Sequence, residues 1–492
     1  MTRPHLYTLT SGLHGEMAPD ARQEPFIRGI EAALGMSFDC RGDDFSGYGG
    51  GDAPEIIYVR TGGTEGLFLE KVAPRLGRPV RLLTSGQSNS LAASMEILSW
   101  LRQHGFAGEI LHGSAADIAA RIRILPDGPV SSPTPSPRAA SSPGADEGHF
   151  APGSAKNCFP GAEEGHFAPG GTEDSFPGAE PVGPETFGRI LDEMRFGVIG
   201  KPSDWLISSN VDYAVVRENL GAELVDIPIE ELIEEVRRPG PETPPNSGHH
   251  CQNGEGSPEK APTSGPGIDL KSSNPPQYGC KIIPGPGFNL KPLNPPKFGS
   301  KIDAGDWQGA LGIYAALRRL VDRYHLDGMT LRCFDLLTAL HNTGCLALAI
   351  LNAEGVTATC EGDIPAMLSM AVARALTGKA SFQVNLSRIE GDRLLFAHCT
   401  VPLSLVRDYC YDTHFESGIG VAIHGELPEG PVTLFKLSPD CRRMYRREAR
   451  LVANTYGDAL CRTQVVVEAP GAAAYFLRTP IGNHHILVPG KL

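Results

Sequence analysis

Pro79-Val80-Arg81-Leu82-Leu83-Thr84 runs into Ser85-Gly86-Gln87-Ser88-Asn89-Ser90, then a helical pattern from Leu91 to His104, then Gly108-Glu109-Ile110-Leu111-His112-Gly113. Leu91, Met95, Leu98 and Leu101 fall on one face of the helix. A short apolar run, a small polar turn, an amphipathic helix and a second short run together predict a strand–helix–strand unit of a parallel sheet. The unit is preceded by Glu55-Ile56-Ile57-Tyr58-Val59-Arg60, which ends at the turn Thr61-Gly62-Gly63-Thr64-Glu65. The same alternation returns downstream. Phe196 to Pro202, Ala222 to Ile227, Met329 to Cys333 and Gly355 to Cys360 read as strands; Trp307 to His325, Gly344 to Leu351 and Pro365 to Leu376 read as helices.

Beyond Thr377-Gly378 the texture changes to short strands and turns, as in Phe382-Gln383-Val384-Asn385, Arg393 to His398, Val432 to Leu437 and Arg462 to Val467. This predicts an antiparallel or barrel-like C-terminal region. Two stretches carry too few periodic apolar residues to offset their ordering entropy, about 126–184 and about 239–302. Each holds a near repeat: Gly144 to Gly153 returns as Gly161 to Gly170, and Ile268-Asp269-Leu270-Lys271 returns as Phe288-Asn289-Leu290-Lys291. Two copies are too few for a solenoid, so both read as surface insertions. The predicted organisation is 1–190, an α/β domain with the first insertion; 191–377, a second α/β domain with the second; and 378–492, a mainly β domain.

The 492 residues hold 44 Lys and Arg against 57 Asp and Glu, a net charge of −13. That balance argues against a general nucleic-acid binder or an anionic membrane surface. The 11 cysteines include no C-x-x-C pair and read as reduced, partly buried thiols. No apolar h-region opens the chain, and the longest apolar run, Cys345 to Leu351, is too short to span a bilayer. A cytoplasmic enzyme for a small neutral or anionic metabolite is expected.

The chemistry-bearing residues lie in the last third: Cys360-Glu361-Gly362-Asp363, Asn385, Ala397-His398-Cys399-Thr400 and Gly482-Asn483-His484-His485. Oxygen and nitrogen donors from separate segments suit a hard or borderline divalent metal in an open site, whereas a structural zinc site shows closely paired cysteines. Glu361 and Asp363 follow an apolar strand of a parallel unit, the edge where α/β ligands bind; the alternative is that they cap the next helix. Asn89 and Ser90 stand where a helix N-terminus can hold a phosphate or sugar hydroxyl, or simply cap the helix. His414 and Glu416, in a polar, turn-prone stretch, are candidate substrate contacts. Arg462 is another, able to read an anionic group such as phosphate or sulfonate.

At these residues the chain resembles the L-fucose isomerase and L-arabinose isomerase superfamily, and looks closest to the fucose isomerase-like branch. In L-fucose isomerases a Glu after a strand precedes a helix ending Leu-Thr-Gly, then an Asp, then a His in a C-terminal Gly-x-Asn-His turn. Glu361, Leu376-Thr377-Gly378, Asn385 and Gly482-Asn483-His484 fall here in that order. His398 looks like the further ligand of arabinose isomerases. The resemblance implies two Rossmann-like α/β domains and a β-barrel-like domain, in a homo-oligomer whose sites borrow residues from a neighbouring subunit's first domain. It also implies a metal, Mn²⁺ by expectation, held by Glu361, Asn385, His398 and His484, with His485 and Asp363 behind them. The expected reaction is aldose–ketose isomerisation of a sugar or sugar derivative, with Glu361 moving the proton. Glu361, Asp363 and Asn385 are the catalytic candidates. The departure is Asn385, which stands where the family has a second carboxylate; an amide ligates through oxygen but cannot shuttle a proton. A metal-assisted lyase or epimerase, or a sugar-binding protein without turnover, are the alternative readings.

Overall fold

The computed structural model describes residues 2–12, 20–125, 179–182, 184–238, 302 and 304–492. The two stretches predicted as insertions, with their internal repeats, lie almost wholly outside the described residues. The described residues form a mixed α/β protein whose C-terminal region closes into a six-stranded barrel.

The first sheet contains β1 (His5–Leu9), β2 (Asp39–Gly42), β3 (Glu55–Val59), β4 (Val80–Thr84) and β5 (Gly108–Leu111), all parallel, in the order β2-β1-β3-β4-β5. Its helices are α1 (Pro25–Leu34), α2 (Glu65–Lys71), α3 (Ser90–Gln103) and α4 (Ala115–Arg123). Every residue of β3 and β4 is buried. This is why they read as continuous apolar runs: helices on both faces leave a central parallel strand no solvent side. Sequence reading missed β1 and β2. In β2, Asp-Cys-Arg-Gly is a half-exposed edge strand with little apolar content.

After β6 (Glu180–Pro181) and α5 (Pro184–Phe187) comes a second parallel sheet. It contains β7 (Arg195–Ile199), β8 (Glu223–Ile227), β9 (Gly328–Leu331) and β10 (Thr357–Cys360), in the order β10-β9-β7-β8. Around it lie α6 (Tyr213–Leu220), α7 (Ile229–Arg237), α8 (Ala304–Tyr324), α9 (Asp335–Leu340), α10 (Cys345–Glu354) and α11 (Ile364–Thr377). Asp363 caps α11 through a bond from the Ala366 N–H, and Gly378 ends the helix at φ +68°. Both are signals that the sequence carries openly.

The C-terminal region contributes β11 (Phe382–Glu390), β12 (Arg393–His398), the hairpin β13 (Asp408–Asp412) and β14 (Ala422–Glu426), β15 (Gly430–Leu437), β16 (Arg443–Thr455), β17 (Thr463–Glu468), α12 (Ala473–Arg478) and β18 (His485–Pro489). The order β15-β18-β11-β12-β17-β16 is closed by antiparallel pairing of β16 back to β15. β6 pairs with the start of β16, so the chain read as the end of the first insertion is already part of this sheet. The long strand β16, Arg-Met-Tyr-Arg-Arg-Glu-Ala-Arg-Leu-Val-Ala-Asn-Thr, was not foreseen because charged, outward-facing residues dilute its alternation.

One apolar cluster runs through all three sheets, taking in Ile57 and Leu82, Met329 and Leu348, and Phe396 and Val465. The carboxyl ends of β3, β4, β7 and β10 and the rim of the barrel therefore share one packed environment, where a site can form.

Candidate active site

β10 leads straight into Glu361, whose backbone is left-handed at φ +66°, followed by Gly362 at φ +71°. A β-carbon on Gly362 would lie 2.3 Å from the Lys201 carbonyl oxygen and 2.7 Å from Pro202 Cα, so the chain passes here only because this position is glycine. The turn aims the Glu361 side chain toward the barrel. Glu361 Oε1 lies 3.4 Å from His484 Nε2 and 3.8 Å from His398 Nε2. Trp205 Nε1–H donates to Glu361 Oε2 at 2.6 Å.

Adjacent barrel strands supply the remaining donors. β11 lies between β12 and β18, with Asn385 opposite Ala397 and Val384 opposite His485. Asn385, His398 at the end of β12 and His484 just ahead of β18 therefore meet on one rim. One potential ligand atom from each of Glu361, His398 and His484 lies within 4.8 Å of the others. Donors about 2.0–2.2 Å from a common ion stand about 3–4.4 Å apart, and the 3.4 and 3.8 Å separations from Glu361 Oε1 fall within that range. The buried atoms His398 Nε2, His484 Nε2 and Asn385 Oδ1 have no hydrogen-bond partner. Burying three such atoms unsatisfied is costly unless a ligand satisfies them. The residues fit a metal with mixed nitrogen and oxygen donors.

Each histidine is oriented from behind. His398 Nδ1 lies 2.9 Å from the Thr400 hydroxyl, and His484 Nδ1 lies 2.9 Å from Asp363 Oδ2. Lys436, buried in the barrel, reaches the same Asp363 oxygen at 3.4 Å. Burial works against charge on His484, but the Glu361 and Asp363 carboxylates prevail and push it up to about 10. Burial opposes ionisation of Glu361 as well; the two imidazoles outweigh it and hold the carboxyl well below its ordinary range. Burial, reinforced by His484, lowers His398, against the pull of Glu361.

A cleft opens onto Glu361 and Asn385. Its walls include Gly62, Glu65 and Asn89 from loops after β3 and β4, Trp205 and Phe334 from the second sheet, and Glu416 from the β13–β14 connection. The two first-sheet loops are joined, since Gly62 N–H donates to the Ser88 carbonyl at 2.7 Å, and Ser88 N–H donates to the Ala459 carbonyl at 3.2 Å. First-sheet residues of the same chain thus reach the Glu361 cleft. Asn89 Nδ2 donates to Glu416 Oε1 at 2.8 Å. Burial, with the Glu361 charge nearby, pushes Glu416 up to about 8.

Other candidates fall elsewhere. Ser90 is buried and donates its hydroxyl to the Val59 carbonyl, and neither it nor Asn89 caps α3 through its side chain. Asp363 faces His484 and the start of α11 rather than the cleft. His485 points away from His484: its Nε2 lies 3.0 Å from the Tyr475 hydroxyl, and its ring packs on Tyr445 and Phe476. A one-residue step along a strand moves a side chain to the opposite face. Arg462 donates to the Thr413 carbonyl at 2.7 Å and pairs with Asp412 at 3.5 Å. His414 lies against Phe334, with ring centroids 5.6 Å apart, and burial lowers it to about 4.

Three residues of this region escaped sequence reading. Trp205 follows β7 as Glu361 follows β10, so the same strand-end rule applied to Pro202-Ser203-Asp204-Trp205 would have found it. Glu65 stands in the quoted Gly-Gly-Thr-Glu turn. Glu96 had no signal: from within α3 it accepts bonds from the backbone N–H groups of Ser208 and Asn483, both at 2.8 Å.

The fold and this donor cluster define an α/β protein with a closed antiparallel barrel and a candidate divalent-metal centre at their junction. No protein-family model matches the chain. Among curated proteins it is similar to the sulfoquinovose isomerase of Clostridium sp. (strain MSTE9), 29% identical over 173 residues, 32% of this chain and 37% of that protein. It is similar too to the sulfoquinovose isomerases of Priestia aryabhattai and Priestia megaterium (strain ATCC 12872 / QMB1551), each 29% identical over 138 residues, 26% of this chain and 31% of theirs. The matches span about a third of the length of these relatives. No described helix is long and apolar enough to cross a membrane.

Proposed function

We propose that the chain is a metal-dependent aldose–ketose isomerase of the fucose isomerase-like branch, acting on a sugar or sugar derivative. The observation that carries the reading is the convergence of Glu361, His398 and His484 donor atoms within 4.8 Å of one another, beside a cleft that Glu361 lines. The similarity to sulfoquinovose isomerases supports the reaction class and makes a sulfonated hexose a first substrate to try. The same reading keeps the organisation 1–190, 191–377 and 378–492, a homo-oligomer and Mn²⁺ as the first metal to test.

Glu361, Asn385, His398 and His484 would hold the ion. A bound divalent metal supplies Lewis-acid polarisation of the substrate carbonyl and acidifies the neighbouring hydroxyl. The rest falls to the chain. Glu361, kept ionised by the imidazoles around it, takes the proton from one sugar carbon and returns it to the next. The Trp205 donor fixes the carboxylate in place. The walls from Gly62, Phe334 and Trp205 limit water around the reacting carbons.

The test is solvent-deuterium incorporation followed by NMR on sulfoquinovose and on unsubstituted aldoses and ketoses, with Mn²⁺ and with chelator. Metal-dependent exchange at the carbon beside the carbonyl is expected. Metal binding without exchange on any of these sugars would instead favour a binding protein.

A further inference from the structure

The amide at Asn385 leaves the cleft one proton-transfer group short, and three carboxyls line the same cleft: Glu361, Glu65 and Glu416. Glu65 opens α2 and is buried, and its Oε2 has no hydrogen-bond partner to orient it. Glu416 is placed differently. It comes from the connection between β13 and β14, which is pinned by bonds from His414 N–H to the Ile419 carbonyl and from Gly418 N–H to the His414 carbonyl. Asn89, 327 positions away and itself in the left-handed region at φ +57°, donates to Glu416 Oε1 at 2.8 Å. A substrate bound at Glu361 would therefore lie between two carboxyls presented by different parts of the fold.

We propose that Glu416 is the second proton-transfer residue of the isomerase reaction, standing in for the carboxylate that Asn385 lacks, and that Asn89 positions it. The proposal rests on the isomerase reading above. In the aldose-to-ketose direction the C2–H bond breaks, its proton passes to Glu361 and its electron pair forms C1=C2. The carbonyl π pair moves onto O1, which takes a proton from Glu416. Glu416 then removes the O2 proton, the O2 electrons form C2=O, and the C1=C2 pair takes the proton held by Glu361 to form a new C1–H bond. No oxidant or reductant enters. Burial raises the Glu416 carboxyl above its ordinary value, the direction that a proton donor to O1 needs.

The experiment compares wild type, E416Q, E416D and N89A in Mn²⁺-loaded protein, reading isomerisation and solvent-deuterium exchange on the best sugar, with Mn²⁺ affinity and sorbitol binding measured alongside. E416Q is expected to lose at least about 100-fold in kcat and exchange while keeping Mn²⁺ and sorbitol affinity. E416D should recover part of the loss, and N89A should lower kcat with KM little changed. Full activity in E416Q, or a loss confined to KM, overturns the role of Glu416 and leaves the isomerase reading standing. If E416Q is misfolded, E416D and N89A decide the matter by the same split between kcat and KM. A wild-type protein that binds Mn²⁺ and exchanges no sugar overturns both.

Discussion

Asp363 Oδ2 and His484 Nδ1 meet at 2.9 Å across 121 positions of chain. With an ion bound, the contact would set Nδ1 as the donating nitrogen and leave Nε2 to face the ion. Asp363 thus holds the ring orientation of a candidate metal ligand. Asp363→Ala is expected to weaken Mn²⁺ binding by about 10–100-fold, measured by competition with a chelating dye. Unchanged affinity would refute this orienting role.

Glu361 reaches the site because Gly362 lets the chain turn. Gly362→Ala must adopt φ near +71° and place a methyl 2.3 Å from the Lys201 carbonyl oxygen. The expected cost is at least about 2 kcal/mol in urea unfolding, from the left-handed backbone and the overlap together. A change below about 0.5 kcal/mol would show that the loop yields freely.

Trp205→Phe keeps the ring against Phe334 and deletes only the N–H that holds Glu361 Oε2. Losing a hydrogen bond to a charged group costs about 1.5–3 kcal/mol, so kcat should fall roughly 10–150-fold. Metal affinity measured on the same preparation should change much less. An unaltered kcat would mean that the carboxylate needs no such anchor.

Glu96 joins α3 to the Ser208 backbone and to Asn483, next to His484. Both contacts are N–H donors, so Glu96→Gln must turn its own NH₂ group toward one of them. A loss of about 1–3 kcal/mol in stability is expected, together with weaker Mn²⁺ binding. A thermal melt and a metal titration on one sample check both; wild-type values in both would dismiss the junction.

The contribution of Glu416 to the stability of the metal-free protein should fall as pH rises from about 4.5 to about 8. Glu416 is raised by burial from its ordinary value near 4.5 to about 8, so the folded chain holds a proton that the unfolded chain has released. Its contribution is fully present below 4.5 and is lost as pH passes through about 8; buried Glu65 and Glu96 are raised too and act in the same direction. Melting temperatures with chelator at pH 5.5 and pH 8.5 should differ less in Glu416→Gln than in wild type. An equal difference would remove Glu416 as a cause.

The strand–helix alternation of both parallel sheets and the helix α11, with Asp363 at one end and Gly378 at the other, were legible from residues a few positions apart. So were the four ligand candidates, because strand ends and polar turns announce themselves locally. The edge strand β2 and the charge-rich barrel strand β16 were not, since their exposed faces blur the period that marks a strand.

Periodicity, capping and turn chemistry act over three or four residues, and they settled which elements form and where each presents its polar end. Which ends meet was decided by packing and by closure of the barrel. The barrel register sets Asn385 beside His398 and turns His485 inward, away from the ligand that precedes it. Packing of the first sheet on the barrel brings Asn89 to Glu416, and the close passage at Gly362 carries Glu361 to His484. No local pattern encodes these pairings, because their free energy comes from apolar surface buried between distant elements, which exists only once the whole chain has closed.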